Sequence, residues 1–184
     1  MPSIIQADQL KSADGNTTYL NSGTLSNVTF PSGHITRHFY DEKKPSSNQS
    51  VTTLGGLYND LELEITNANT ADYLFVNFFL PGFYNSGVSD RTMGVRVRFS
   101  IDNFVSPANG QQFGSNEVVF SRGIQIGSST NFFGNISGSI RAQHPSASYK
   151  IRLFLIALNG NVDLFFNSSA NELVANLSAF EIKA

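Results

Sequence analysis

The feature that most constrains this chain is a two-residue alternation of apolar and polar side chains, recurring from about Ile35 to the end. In Leu61-Glu-Leu-Glu-Ile65, Leu61, Leu63 and Ile65 share one face and Glu62 and Glu64 the other. Val95-Arg-Val-Arg-Phe-Ser-Ile101 repeats the pattern, with Arg96, Arg98 and Ser100 pointing outward. A period of two belongs to half-buried β-strands. It predicts further strands over 35–41, 73–80, 117–126, 136–142, 149–158, 162–166 and 174–182. Turn signals separate them: Asn85-Ser-Gly87, Ala108-Asn-Gly110, Phe113-Gly-Ser-Asn116 and Asn159-Gly160. Asn159-Gly160 predicts a tight type I′ hairpin, because both central residues of that turn need positive φ. No segment carries a helical stripe. The expected fold is therefore all-β, an antiparallel β-sandwich, with strand number and length favouring a jelly roll.

Two of these strands are apolar on both faces. In Tyr73-Leu-Phe-Val-Asn-Phe-Phe-Leu80, Leu74, Val76, Phe78 and Leu80 fall on one side, and Tyr73, Phe75 and Phe79 on the other. Ile151-Arg-Leu-Phe-Leu-Ile-Ala-Leu158 adds Phe154 and Ile156. An antiparallel sandwich ordinarily wets its outer faces. Either loops cover these strands, or the second face meets another subunit. The second reading makes Tyr73, Phe75, Phe79, Phe154 and Ile156 the expected oligomer interface, since a row of exposed aromatics is adhesive and closed rings are the usual assembly.

Composition narrows the partners. Charged residues make up 14% of the chain and the net charge is −2, with no basic run longer than Lys43-Lys44. Nucleic acid therefore has no electrostatic footprint here. Cysteine is absent, so neither a disulfide framework nor a thiolate metal site is expected. No apolar run approaches a membrane-spanning length, and Met1-Pro-Ser-Ile-Ile-Gln-Ala-Asp does not read as a signal peptide.

Residues 1–36 differ from the rest. Their large apolar side chains, among them Ile4, Ile5, Leu10, Leu25, Val28 and Phe30, are few and scattered. Ordering backbone costs roughly 1–2 kcal/mol per residue, more than such a segment recovers alone. The expectation is an extended N-terminal arm, 1–36, anchored on another surface by those six residues and by strand pairing. It precedes a sandwich domain over 37–184.

The leader and body together resemble short virion proteins of marine tailed bacteriophages. The residues that carry the resemblance are Ile5-Gln-Ala-Asp-Gln-Leu-Lys-Ser-Ala-Asp-Gly15, then Thr24-Leu-Ser-Asn-Val-Thr-Phe-Pro-Ser-Gly-His-Ile35 with its "Phe-Pro-Ser-Gly" turn. Val51-Thr-Thr-Leu-Gly-Gly-Leu-Tyr-Asn-Asp-Leu-Glu-Leu-Glu-Ile65, Met93-Gly-Val-Arg-Val-Arg-Phe99 and Leu177-Ser-Ala-Phe-Glu-Ile182 resemble the family's entry, central and closing strands. The resemblance implies a jelly-roll structural protein of the virion, a homotrimer, either decorating the capsid or belonging to a tail fibre.

Chemistry is sparse. No phosphate-binding glycine loop or nucleophile elbow is present. His34 and His38 have the spacing of a helical zinc pair, but in a strand four residues span about 13 Å, too far for one ion. Glu62 and Glu64 share a strand face at glycosidase-like separation, yet outward acids on a strand are ordinarily solvent-facing. Arg96 and Arg98 face solvent or an acidic neighbour. Phe83 and Tyr84, between Gly82 and Asn85, are the candidate loop for stacking on a sugar. Tryptophan is absent.

The sequence therefore predicts a non-enzymatic virion component with no catalytic residues, metal or cofactor. It would be a trimeric capsid decoration protein held to the major capsid protein, or another virion protein, through its arm. The alternatives are a tail-fibre or receptor-binding tip that recognises host glycan through loops 83–91 and 103–116, and a lectin-like carbohydrate-binding module.

Overall fold

The structure, a computed structural model, describes residues 9–11, 18–21, 24–25, 31–43, 49–80, 83–84, 91–114, 119–123, 135–158, 162–164, 167–168, 171–172 and 174–184. Every regular element among them is a strand. In the leader, β1 (Gln9–Lys11), β2 (Thr18–Asn21) and β3 (Thr24–Leu25) pair antiparallel in that order. Leu10 stands opposite Leu20, and Leu20 opposite Leu25. The leader's described backbone thus forms a small meander. Ile4, Ile5, Val28 and Phe30 lie outside the described residues.

The body runs β4 (Ile35–Lys43), β5 (Gln49–Val51), β6 (Gly56–Ile65), β7 (Tyr73–Leu80), β8 (Phe83–Tyr84), β9 (Arg91–Ser100), β10 (Gln111–Gln112), β11 (Val119–Gly123), β12 (Ile136–Gln143) and β13 (Tyr149–Ala157). It closes with β14 (Val162–Leu164), β15 (Asn167–Ser168), β16 (Asn171–Glu172) and β17 (Ala175–Ile182). The long strands fall where the alternation predicts them. The hairpin expected at Asn159-Gly160 lies outside the described residues.

Two antiparallel sheets form the sandwich. The first has the order β12-β7-β17-β4. The second has the order β10-β9-β13-β6, with β11 continuing beyond β10 along the same edge of β9. Taking β10 and β11 as one interrupted strand leaves eight. Numbered along the chain, they stand 6-3-8-1 in one sheet and 5-4-7-2 in the other, the double Greek key of a jelly roll. A separate small sheet, β5-β14-β8, and the β15–β16 hairpin complete the strands.

The core lies between the sheets. Leu74, Val76, Phe78 and Leu80 of β7 meet a layer that contains Met93, Val95 and Val97 of β9 and Ile151, Leu153 and Leu155 of β13. Each such side chain contributes roughly 1.5–3 kcal/mol by leaving water. β6 breaks its alternation between Tyr58 and Leu61, both fully buried. Its pairing slips at that point, so that Ile151 faces Leu63 but Leu153 faces Tyr58. This bulge swings the middle of β6 against β4, and Asp41 Oδ2 accepts the Glu62 backbone N–H at 2.8 Å. The bulge therefore closes one open side of the sandwich, bridging the edge strands of the two sheets.

Candidate functional site

The five residues expected at a subunit interface fall on two opposite surfaces. Phe154 and Ile156 lie on the outer face of the second sheet, and Tyr73, Phe75 and Phe79 on the outer face of the first. An isologous contact, which uses the same patch on both subunits, cannot use all five.

Phe154 is buried within its own chain, at 6% exposure. The turn before β6 lies over it: a Cβ placed on Gly55 would come 2.5 Å from Phe154 Cζ and 2.9 Å from the Leu155 carbonyl oxygen. Gly55 also has φ +73°, so both space and backbone require glycine there. From the other side Arg98 places its guanidinium 5.3 Å from the ring centroid. For Phe154, covering by loops is what the structure shows, and the ring has no open face to offer a neighbour.

A second flap covers the far end of the same sheet. Ser100 Oγ accepts the N–H of Phe104 at 2.8 Å and donates to Asp102 Oδ1 at 2.6 Å. Asp102 accepts the N–H groups of Val105 and Ser106 at 3.2 and 2.9 Å. Its carboxyl is held below the usual range, first by the Ser100 hydrogen bond. This cage holds Asn103 and Phe104 at φ 59° and 62°, left-handed values uncommon for residues with side chains. Phe104 is thereby folded in beneath Arg152, whose guanidinium lies 4.6 Å from its ring centroid. Beside the flap a groove of about 230 Å³ is lined by Glu64, Ser100, Asp102, Asn103, Ser148 and Lys150, among others.

The outer face of the first sheet is different. Four cross-strand rows are legible from the pairing: Gln143–Tyr73–Ile182–Ile35, Arg141–Phe75–Phe180–His38, Ser139–Asn77–Ser178–Tyr40 and Ser137–Phe79–Asn176–Glu42. Tyr73, Phe75, Phe79, Phe180 and Ile182 are half-buried, while Ile35 and Tyr40 are 56% and 54% exposed. Arg141 sits 4.1 Å over the Tyr73 ring, and His38 stacks on Phe180 at 4.6 Å. The result is an apolar patch of Tyr73, Ile182, Phe75 and Phe180, which the polar pair Asn77–Ser178 separates from Phe79. Phe180, Ile182, Ile35 and Tyr40 extend the expected interface. Asn176, Ser178, Phe180 and Ile182 occupy one phase of β17, and this signal was readable in the sequence.

The candidate acids and bases are tied up in structure. Glu62 binds Lys150 at 2.6 Å and Arg152 at 2.5 and 2.7 Å. Burial pushes its carboxyl up, but those hydrogen bonds outweigh it and hold it below the usual range. Glu64 is exposed. His34 precedes β4, where its carbonyl accepts the Lys183 N–H at 2.9 Å. Phe83 and Tyr84, expected in a loop, pair their backbones with Leu164 and Asp163.

One cluster of titratable groups lies inside. Glu181, at an inward position of β17, is clasped by Arg37: Nε donates to Oε1 at 3.0 Å and Nη2 to Oε2. Thr36 Oγ1 donates to Oε1 at 2.8 Å. Arg37 also donates to the Thr66 and Asn67 carbonyls. His144 Nε2 is 3.2 Å from Glu181 Oε2, an ion-pair distance without hydrogen-bond alignment. Nearby, Asp72 accepts from Lys183 Nζ and the Ala184 N–H, both at 3.1 Å. Burial drives the His144 imidazole below its usual pKa, although Glu181 opposes the shift. Burial also drives the Tyr149 phenol up, and its hydroxyl shares a hydrogen bond with His144 Nδ1 in which the imidazole tautomer decides the donor. Asp72, His144 and Glu181 are buried, and the arrangement serves to satisfy buried charge.

No protein-family model matches the chain, and no curated protein sequence matches it.

Proposed function

We propose that this protein is a non-enzymatic structural component of a phage virion, a jelly-roll capsid decoration protein that assembles as a trimer and docks through its N-terminal arm. The observation that carries the reading is the outer face of the first sheet. Tyr73, Phe75, Phe180 and Ile182 make an apolar patch, with Phe79 beyond the Asn77–Ser178 row, and neither of the flaps that close the opposite sheet lies over it. Association would remove the remaining exposed apolar area from water at roughly 25 cal/mol per Å², which costs little reorganisation on a rigid sheet. Buried area and added strand pairing would then brace the shell mechanically. Glu62, Asp72 and Glu181 are each committed to pairs within the chain, which suits a protein that holds rather than reacts.

The test is the solution mass of the full chain together with its position on a particle. A trimer at micromolar concentration, reduced to monomer by Phe75→Glu with Phe180→Glu, supports the reading. A monomeric wild-type chain overturns the oligomer. Capsids that bind the protein equally well without residues 1–36 overturn the arm.

A second reading, a receptor-binding tip recognising host glycan, is favoured by the groove beside the Asp102 flap. Its hydroxyl, carboxamide and carboxylate groups suit sugar hydroxyls, and Ile101 supplies an apolar wall. Glycan-array binding that is lost in Asn103→Ala supports it.

A further inference from the structure

Four cations occupy neighbouring positions on the outer face of the second sheet. Lys150 pairs with Ser100, Arg152 with Arg98, and Phe154 with Arg96. Two of the four are ion-paired within the chain, because Glu62 takes both Lys150 and Arg152, one negative charge against two positive. Arg152 is further held by Asn59 Oδ1 at 3.1 Å. Arg96 and Arg98 meet no carboxylate among the described residues.

Arg98 is the odder of the two. Its guanidinium lies along the Phe154 ring, and its Nε is buried without an acceptor. A buried donor left unmade costs about 1–3 kcal/mol. Burial, and then the charge of Arg96, push its pKa down. The two side chains leave the same strand face two residues apart, a separation of about 7 Å. Two guanidinium forks at that spacing repel each other unless an anion lies between them. Gln112, opposite Arg98 across β10, adds a neutral position to the same row. The packing holds this pair still: Gly55 presses on Phe154, and Phe154 in turn backs Arg98.

We propose that Arg96 and Arg98 form a binding site for a single oxoanion, a carboxylate, sulfate or phosphate group gripped by the two guanidinium forks. The planar fork matches the paired oxygens of such groups. Lys150 and Arg152 stay with Glu62 and shape the approach without being ligands. The site goes beyond a role in assembly, since it gives the second sheet a specific polar recognition point opposite the aromatic face.

The experiment follows the Arg98 Nε–Hε signal of the full chain by nuclear magnetic resonance. Sodium sulfate, phosphate, acetate and glucuronate are titrated separately against sodium chloride at matched ionic strength. Saturable movement with sulfate or phosphate assigns a tetrahedral ligand, and with acetate or glucuronate a planar carboxylate. The expected affinity is about 1 mM or tighter, weakened at least about tenfold in R96Q, read at Arg98, and in R98Q, read at the Arg96 Nε–Hε signal. If R98Q does not fold, R96Q alone decides. A response to all four anions no different from chloride overturns the site. So does saturable binding that persists unchanged in the foldable arginine variants.

Discussion

Nδ1 of His144 and the phenolic oxygen of Tyr149 stand 2.7 Å apart inside the sandwich, joining the end of β12 to the start of β13. The ring's other nitrogen faces Glu181. A neutral imidazole thus sits between a phenol and a carboxylate, kept neutral by burial although Glu181 favours its charged form.

Acid should therefore loosen the fold in two stages. His144 is harder to protonate folded than unfolded, where its pKa is about 6.5, so its contribution is intact above that value and falls as the pH drops below it. For Glu181 and Asp72 burial alone would raise the pKa, but hydrogen bonds from Arg37 and Thr36, and from Ala184 and Lys183, leave both lowered. Their stabilisation is present above the ordinary carboxylate range and is lost as the pH falls through their folded values. Urea midpoints should decline between pH 7 and 5 and decline further below about pH 4.5. His144→Asn should flatten the first decline only. A wild-type midpoint that rises from pH 7 to 5 contradicts this account.

Arg37→Leu leaves Glu181 buried without its main partner. The cost should be about 2–4 kcal/mol, below the full value for a buried pair because Arg37 is 31% exposed. The double variant Arg37→Leu, Glu181→Leu should recover more than half of that loss. Equilibrium denaturation of the two single variants and the double measures it.

Gly55→Ala should destabilise by roughly 1–3 kcal/mol, since the new methyl meets both the Phe154 ring and the Leu155 carbonyl at a left-handed backbone position. Adding Phe154→Ala should relieve the ring clash but not the backbone strain. The second substitution should therefore cost less in the Gly55→Ala background than in the wild type, a coupling that thermal melts can read.

Ser100→Ala removes the acceptor for the Phe104 N–H and a donor to Asp102. A loss of about 1–3 kcal/mol follows from leaving a buried donor unmade. Hydrogen exchange should quicken at Phe104, Val105 and Ser106 while the β13 amides opposite β9 stay protected.

The alternation made β7, β9, β13 and β17 legible because each buries one full face, which forces strict phase. It also held two messages that are clear only beside the fold. The three-residue step from Tyr58 to Leu61 is the sequence trace of the β6 bulge. Glu181 follows Ala175, Leu177 and Ala179 in the inward phase, and a charge there announces a buried partner. Which partner was not legible: Arg37 and His144 are distant along the chain, and only sheet order brings them together. The aromatic second faces were equally ambiguous. Apolarity states that Phe75 and Phe154 need cover, but the cover for Phe154 comes from a glycine turn, which no period reveals. The jelly-roll strand order was likewise beyond periodicity, since hydrophobic phase fixes the face of a strand and not its neighbour.

The bulged middle of β6, held by the Asp41–Glu62 contact, has a consequence for how this molecule can meet others. With β6 lying alongside β4, an incoming chain cannot lengthen that sheet by stitching main chain to main chain without first prising the bulge away. Growth into ribbons from that side is blocked. A neighbour must instead come broadside, reading side chains on a flat wall, and that kind of contact can be tuned one residue at a time.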